Sequence, residues 1–508
     1  LGGLPDGRGT MEGCDIVPKA QWSVGLQESE PISENRDVVA RWPVRWLTSM
    51  HMDFKARLAG GRVEIRIENR NGGKWFPLPP SVHPVVLHEQ VIARFDGGLR
   101  SWDLWTGQLI WTTGNRLPLH RPMRSSGSSW YSGWWGNDDF RIHDDGMYHL
   151  AAGDGKVLVR YGFPAKPPDM EGGGFGGGEP RRGEMDTSAL AAVSVGPGGG
   201  GGKLLWRVGN GEGDREAVKE GKFISPPTFA DGRVYVVVMR SAAYYLVCLE
   251  ADSGRCIWSV RLAHPPAMET GYWGATSLRS LLEHASPPAV RDGRAYVLLN
   301  CGVLVAVDSG DGRILWGREY GRPETRLHGP MYMPGRIRGA VNPVLLIGHR
   351  LICLPRDSDE VLALRAADGK LLWTEDRQRA ADLTYLDDER VLLSAPSLRL
   401  LSVEDGETLW RPEHPEKLSA LCGRPAVAGD EILVCGRGRL HRVDLETLTL
   451  RSVPLAEEGA LGNLASASNT VVAANAAGLS VYCSLVKAVE KLDERLALAP
   501  DAERPGLL

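Results

Sequence analysis

The densest group of side chains able to hold a ligand is Ser129-Trp130-Tyr131-Ser132-Gly133-Trp134-Trp135-Gly136-Asn137-Asp138-Asp139-Phe140. Aromatic faces beside an amide and carboxylates suit stacking on a planar cofactor or a sugar ring, and the oxygens suit calcium. Trp130, Tyr131, Trp134, Trp135, Asn137 and Asp138 are therefore the first candidates for ligand binding, although a strand with packed aromatics would have much the same composition. A second group spans Glu269 to Thr276 and contains Trp273, with Arg279 close behind. An arginine beside a tryptophan can hold an anionic, planar ligand, and a surface loop pinned by its aromatics reads the same way.

Signatures of catalysis are missing. The 12 histidines form no HExxH pair and no GxSxG elbow is present. His83 and His88 are close in sequence, but their spacing suits neither one helical face nor one strand face. The run Gly172 to Gly178, followed by Arg181 and Arg182, lacks the helix start and the GK[ST] that a phosphate loop requires, so it reads as a flexible insertion over about residues 164–187. Gly198 to Gly202 reads as a lengthened turn. The 8 cysteines match no zinc site and no CxxC pair. Cys248 and Cys256 flank one turn, where they could face each other across a hairpin or serve as ordinary buried thiols.

The elements that would position such groups are repeats. Glycine is followed four residues later by tryptophan at Gly107 and Trp111, Gly202 and Trp206, Gly254 and Trp258, Gly312 and Trp316, Gly369 and Trp373, and Gly406 and Trp410. The clearest copies read LRSWDLWTGQLIW, LVCLEADSGRCIW, LVAVDSGDGRILW and VLALRAADGKLLW, each two hydrophobic strands about a polar turn. Upstream of these hairpins lies a second one, PPTFADGRVYVVV from Pro226, PPAVRDGRAYVLL from Pro287, PVLLIGHRLICL from Pro343 and PAVAGDEILVC from Pro425. Together they supply four antiparallel strands per unit, the composition of a propeller blade.

A seventh unit carries Leu448 in the glycine slot and Ser452 in the tryptophan slot. An eighth, around Asn469 to Asn475 and Gly478 to Tyr482, has three strands and then turns helical. Its missing outer strand matches Pro18 to Val24, which carries Trp22 and has no blade of its own before the first unit begins near Pro84. Pairing the two leaves no open sheet edge and predicts an all-β, eight-bladed propeller with a short C-terminal helix. A seven-bladed ring with the eighth unit as a cap is the alternative count.

These blade endings resemble the quinoprotein-type repeat, the pyrroloquinoline-quinone (PQQ) repeat family that includes alcohol dehydrogenases and the outer-membrane assembly lipoprotein. The resemblance covers roughly Trp22 to Leu485 and implies an eight-bladed ring. It would bring a quinone and calcium with it only if a glutamate, an asparagine and an aspartate met on the ion above a tryptophan floor, and no residue here can be given those roles. The adjacent cysteines that the dehydrogenases join in a disulfide are also absent. The resemblance is nearest to the non-catalytic members, which implies no bound cofactor, a protein partner and a periplasmic or cell-envelope location.

Composition sets limits on the partner. With 59 basic and 63 acidic residues among 508, the net charge of −4 points to no nucleic-acid surface. No run approaches the roughly 18 apolar residues of a membrane span. Leu1 opens the chain without a methionine, a basic n-region or an apolar h-region, which reads as a mature form or an excised piece, and Leu485, Val489, Leu492 and Leu496 recur at helical spacing toward the other end. The expectation is a propeller over residues 1–485 and the start of a truncated helical extension over 486–508. The function expected is a protein-interaction scaffold inside a larger protein. A quinone-dependent alcohol or sugar dehydrogenase and a carbohydrate-binding propeller are the alternatives.

Overall fold

In the computed structural model the described residues are 22–25, 54–59, 62–67, 75–77, 82–95, 98–113, 149–162, 188–197, 200–209, 211–241, 243–264, 284–321, 340–415, 418, 421, 423–436, 438–454, 462–467, 470–475, 478–483 and 485–498. They form eight antiparallel blades. Blade 1 runs Val85–Leu87, Gln90–Phe95, Gly98–Asp103 and Leu109–Thr112, and blades 2 to 7 repeat this order, ending at Leu450–Pro454. Blade 8 takes Asn463–Ala467, Thr470–Ala474 and Gly478–Cys483 from the end of the chain and its outer strand, Trp22–Gly25, from the beginning. The register Trp22 to Val481 and Gly25 to Gly478 closes the ring as the sequence predicted. First strands of blades 7, 8, 1, 2, 3 and 4 touch in succession, so the strand order within a blade runs from the axis outward.

Strand periodicity explains the core. In the third strand of blade 2, Ala189, Ala191 and Val193 pack toward blade 1, while Leu190 and Ala192 pack toward blade 3. That strand is apolar on both faces because it is covered by a blade on each side. Seven interblade layers of this kind are seen among the described residues.

Three elements depart from the repeat. Blade 3 splits its first strand into Lys222–Phe223 and Thr228–Ala230, both paired with Arg233–Arg240. Just upstream, Glu216–Lys219 forms a one-turn helix, α1. Outside the ring, Phe54–Ala59, Arg62–Ile67 and Trp75–Pro77 make a three-stranded sheet that the sequence reading did not anticipate. The C-terminal helix, α2, spans Leu485–Leu498, starting one residue before the expected boundary.

Candidate functional site at the polar channel mouth

Antiparallel blades give the ring two different faces. Turns between first and second strands, and between third and fourth, lie at one face, here called the turn face. The connection from each blade to the next lies at the opposite, connecting face. The segments 114–148, 163–187, 265–283 and 322–339 leave from and return to this connecting face, judged by the described residues at their ends.

The six repeated tryptophans lie at the turn face. Each of five sits over the glycine of the next blade: a Cβ on Gly254 would lie 2.6 Å from Trp206, on Gly312 2.7 Å from Trp258, on Gly369 2.7 Å from Trp316 and on Gly406 2.6 Å from Trp373. Trp111 covers Gly202 in the same way, at 3.0 Å. These glycines also have positive φ, so the turn and the close approach require the same residue. In blade 7 the slot holds Leu448 at φ 56, and this leucine packs with Trp410. Trp111, Trp206 and Trp258 are buried, whereas Trp316, Trp373 and Trp410 are half-buried.

A second lock went unread in the sequence, although its signal is present. The first residue of the second strand reaches to the next blade in six blades. Gln90 donates to the Gly196 carbonyl at 2.6 Å, Arg233 to Ser309 at 2.9 Å, Arg294 to Ala366 at 3.5 Å and Arg390 to Leu445 at 2.8 Å. Lys156 pairs with Asp252 at 2.8 Å, and Arg350 pairs with Glu404. The signal is the cation that follows each turn in DGK, DGR, DGR, GHR and DER. Blade 8 has Thr470 there, and its junction with blade 1 is bridged by α2 instead. Arg495 meets Asp103 and Glu89 at 2.7 Å each, and Lys491 meets Glu89 at 3.2 Å. Burial alone would raise the Glu89 carboxyl, but bonds from Arg495 and Lys491 outweigh it and hold the group below its ordinary value.

At the connecting face, the entry to the first strand carries a polar residue in all eight blades: His83, His149, Ser225, Ser286, Asn342, Asp382, Arg424 and Asn463. Because first strands are innermost, these residues form a collar around the ring axis, buried in every blade but those of His83 and Arg424, which are half-buried. Asn463 ties three blades together, donating to the Val82 carbonyl at 2.9 Å and accepting from the Arg424 amide at 2.9 Å. Asn342 likewise donates to Ala381 at 2.9 Å and accepts from the Leu383 amide at 2.9 Å. Ser225 accepts from Val237, and Asn300 donates to Ser286. The His83 and His149 rings meet edge-on with centroids 3.8 Å apart. Arg424 donates to the Val341 carbonyl and lies 3.8 Å from Asp382. His88 sits at the turn face with φ 51, so His83 and His88 lie at opposite ends of the ring.

Behind the collar in blades 4 to 6 the polar groups are buried and bonded. Tyr320 donates to Asp357 at 2.6 Å, and burial first, then the neighbouring carboxylate, pushes its hydroxyl well above the ordinary tyrosine value. Arg377 donates to the carbonyls of Pro355, Ser358 and Ala380. Such bonds satisfy a guanidinium inside the fold and fix the loops that it touches.

All the ligand-binding candidates taken from the sequence, Trp130, Tyr131, Trp134, Trp135, Asn137, Asp138, Trp273 and Arg279, lie outside the described residues, as does the glycine-rich insertion. The pair Cys248 and Cys256 does not face across its hairpin: Cys248 is opposite Trp258 and Cys256 opposite Leu249. Burial pushes both thiols up to about 11, which leaves them protonated near neutrality. Among the described residues no group of three or more His, Cys, Asp and Glu side chains comes together as a metal site, and no helix is long and apolar enough to cross a membrane.

A family model described as outer membrane protein assembly factor BamB matches residues 190–375 and 333–484, together more than half of the chain. The protein of that name from Salmonella typhimurium is 27% identical over 208 residues, covering 40% of this chain and 43% of that protein. The one from Moranella endobia is 25% identical over 247 residues, covering 48% and 54%. The chain thus spans about half the length of these curated relatives. The crystal structure of BamB from Moraxella catarrhalis covers 79% of this chain and 96% of its own, at 15% identity and a TM-score of 0.48.

Proposed function

This chain belongs to the family of the outer membrane protein assembly factor BamB, and we propose from that premise that it is a non-catalytic interaction propeller, holding a protein partner in the cell envelope. The observation that carries the reading is how the collar is used. Asn342, Asn463, Ser225 and Ser286 have their polar atoms engaged in bonds that join or brace blades, so they serve the ring and leave little free valence for a substrate. What the connecting face offers instead is a platform braced by the collar and edged by the turns between second and third strands, a common place for a protein-binding surface. The protein works in this reading as a scaffold within a larger assembly, without a bound quinone or calcium.

Site-specific photo-crosslinking in envelope fractions of a native host tests the surface. A crosslinker at Ser241, Ser397 or Arg439, exposed on the connecting face, should give one discrete adduct. The same group at Asp231 or Asp292, exposed on the turn face, should not. Equal adducts from both faces, or none from either, would refute the platform. Equilibrium dialysis with pyrroloquinoline quinone and calcium tests the chemistry: stoichiometric, tight uptake would replace the scaffold by a dehydrogenase.

A further inference from the structure

A fourth strand is the edge of its blade, with backbone donors and acceptors open on one side. Among the described residues the molecule covers one such edge and, in another blade, builds the edge strand itself from a remote segment. In blade 3, the segment around α1 lies on the outer strand Cys256–Ala263, where Asp214 accepts from the Cys256 amide at 3.2 Å and Arg215 donates to the Ile257 carbonyl at 3.0 Å. In blade 8, an extended segment from a remote part of the chain adds as the outer strand. Among the described residues nothing pairs with the outer edge of blade 5: its six-residue outer strand Leu371–Asp376 ends its sheet.

This open edge carries a specific chemistry. Leu371 and Leu372 are each 39% exposed, and Leu409 on the outer strand of blade 6 is 50% exposed. Trp373 rests on Gly406, which brings the turn of blade 6 alongside, with exposed Glu404, Asp405 and Glu407. Asp376 adds a fourth exposed carboxylate at the end of the strand. Against them stand Lys370 and Arg350, the latter committed to Glu404. Blade 4 has a different edge, where Ile314 is flanked by exposed Arg313 and Arg318.

We propose that the outer edge of blade 5 is a second docking surface, which takes an extended segment of a partner protein that alternates aliphatic and basic residues. Backbone pairing to Leu371–Asp376 supplies the geometry, the exposed leucines receive the aliphatic side chains, and the blade 6 carboxylates select the cations. The exposed leucines and the blade 6 carboxylates lie at the turn-face end of this edge, so either assignment can fail without the other.

The test uses the full chain and a fluorescent ten-residue peptide of alternating valine and lysine, followed by anisotropy. Saturable binding should weaken about tenfold or more in Leu372→Lys and in Glu407→Lys, and should fall with added salt. It should be unchanged in Leu109→Lys, a control at an exposed leucine of the blade 1 edge. Methylating alternate peptide nitrogens should abolish it, and exchanging lysine for glutamate should do the same. Equal binding of the methylated or the acidic peptide, an equal loss in Leu109→Lys, or no saturable binding would each overturn the proposal. Binding to anionic vesicles that survives Leu372→Lys and outcompetes the peptide would assign the edge to lipid and also overturn it. Circular dichroism of each variant ensures that loss reports on the surface and not on folding.

Discussion

Replacing Gly254 by alanine isolates the contact between adjacent blades. Gly254 has φ +71, a region that costs an ordinary L-residue roughly 1–2 kcal/mol. A Cβ there would also lie 2.6 Å from Cε3 and 2.7 Å from Cδ2 of Trp206. That ring is 8% exposed, and its Nε1 donates to the Ala251 carbonyl at 2.8 Å, so it cannot move aside without losing both packing and a bond. Forcing a methyl into such a site typically costs a further 1–3 kcal/mol, about 2–5 kcal/mol in all. Gly232 supplies the control, with a matching φ of +68 and nothing within 4 Å of its would-be Cβ, so its alanine variant should lose only the backbone part. The difference in unfolding free energy between the two variants, measured from urea midpoints at unchanged m, should be about 1–3 kcal/mol. Adding Trp206→Leu should make room for the methyl and bring the Gly254→Ala penalty down to that of Gly232→Ala, a coupling that a double-mutant cycle reads directly. If Gly254→Ala and Gly232→Ala agreed within about 0.5 kcal/mol, the tryptophan would not be held by the glycine and the repeat would need another explanation.

Three further outcomes are expected. Trp206→Phe should cost about 1 kcal/mol more than Trp258→Phe, since only the first loses an indole bond: the Nε1 of Trp258 has no acceptor, and the matching Ser309 carbonyl is taken by Arg233 and Tyr235. Urea midpoints give the comparison, and an equal or inverted cost would refute it. The α2 latch should be acid-sensitive, because Glu89 has a lowered pKa in the fold and its contribution is therefore present above its unfolded value and lost as pH falls through the lowered folded value. Melting temperatures of wild type and Glu89→Gln should then differ at pH 7 and converge near pH 3, and a gap that persisted at pH 3 would show that the ion pairs are not its source. Deleting residues 1–26 removes Trp22–Gly25 and bares the backbone of Gly478–Cys483, so the truncated chain should melt lower or associate through that edge, as light scattering would reveal. A monomer with unchanged melting would mean that the strand is dispensable to the ring.

Much of this architecture was legible because a blade repeats its own turn chemistry. The glycine and tryptophan spacing, the Asp-Gly hairpins and the orphan strand at Trp22 together specified eight units and their closure. Which unit each tryptophan faces was not legible, since a pattern inside one repeat says nothing about its neighbour. The collar was hidden for another reason: His, His, Ser, Ser, Asn, Asp, Arg and Asn share polarity and a rung, but no identity. The split first strand of blade 3 and the sheet over residues 54–77 have no second copy in the chain to reveal them. The aromatic group from Trp130 to Asp138 lies outside the described residues and keeps its standing as a sequence candidate.

The two faces of the ring differ in how much change they can absorb, and the locks explain why. At the turn face, Lys156, Arg233, Arg294, Arg350 and Arg390 each need an acceptor at a fixed place in the next blade. One extra residue in a turn would carry the cation off its acceptor and the glycine out from under the indole. Blade 2 shows the consequence. Its turn between Ser194 and Lys203 is lengthened, and there Trp111 gives its N–H to Gln90 at 2.9 Å instead of to a carbonyl of the next blade, while Gln90 makes the crossing bond. At the connecting face the ladders have already ended before the chain leaves, so added length between Thr113 and His149, or between Gly321 and Ala340, displaces no lock, and the closure entropy of a longer loop grows only slowly. A surface that must be remodelled for a partner is therefore cheapest to build there, beyond the collar bonds that brace the first strands.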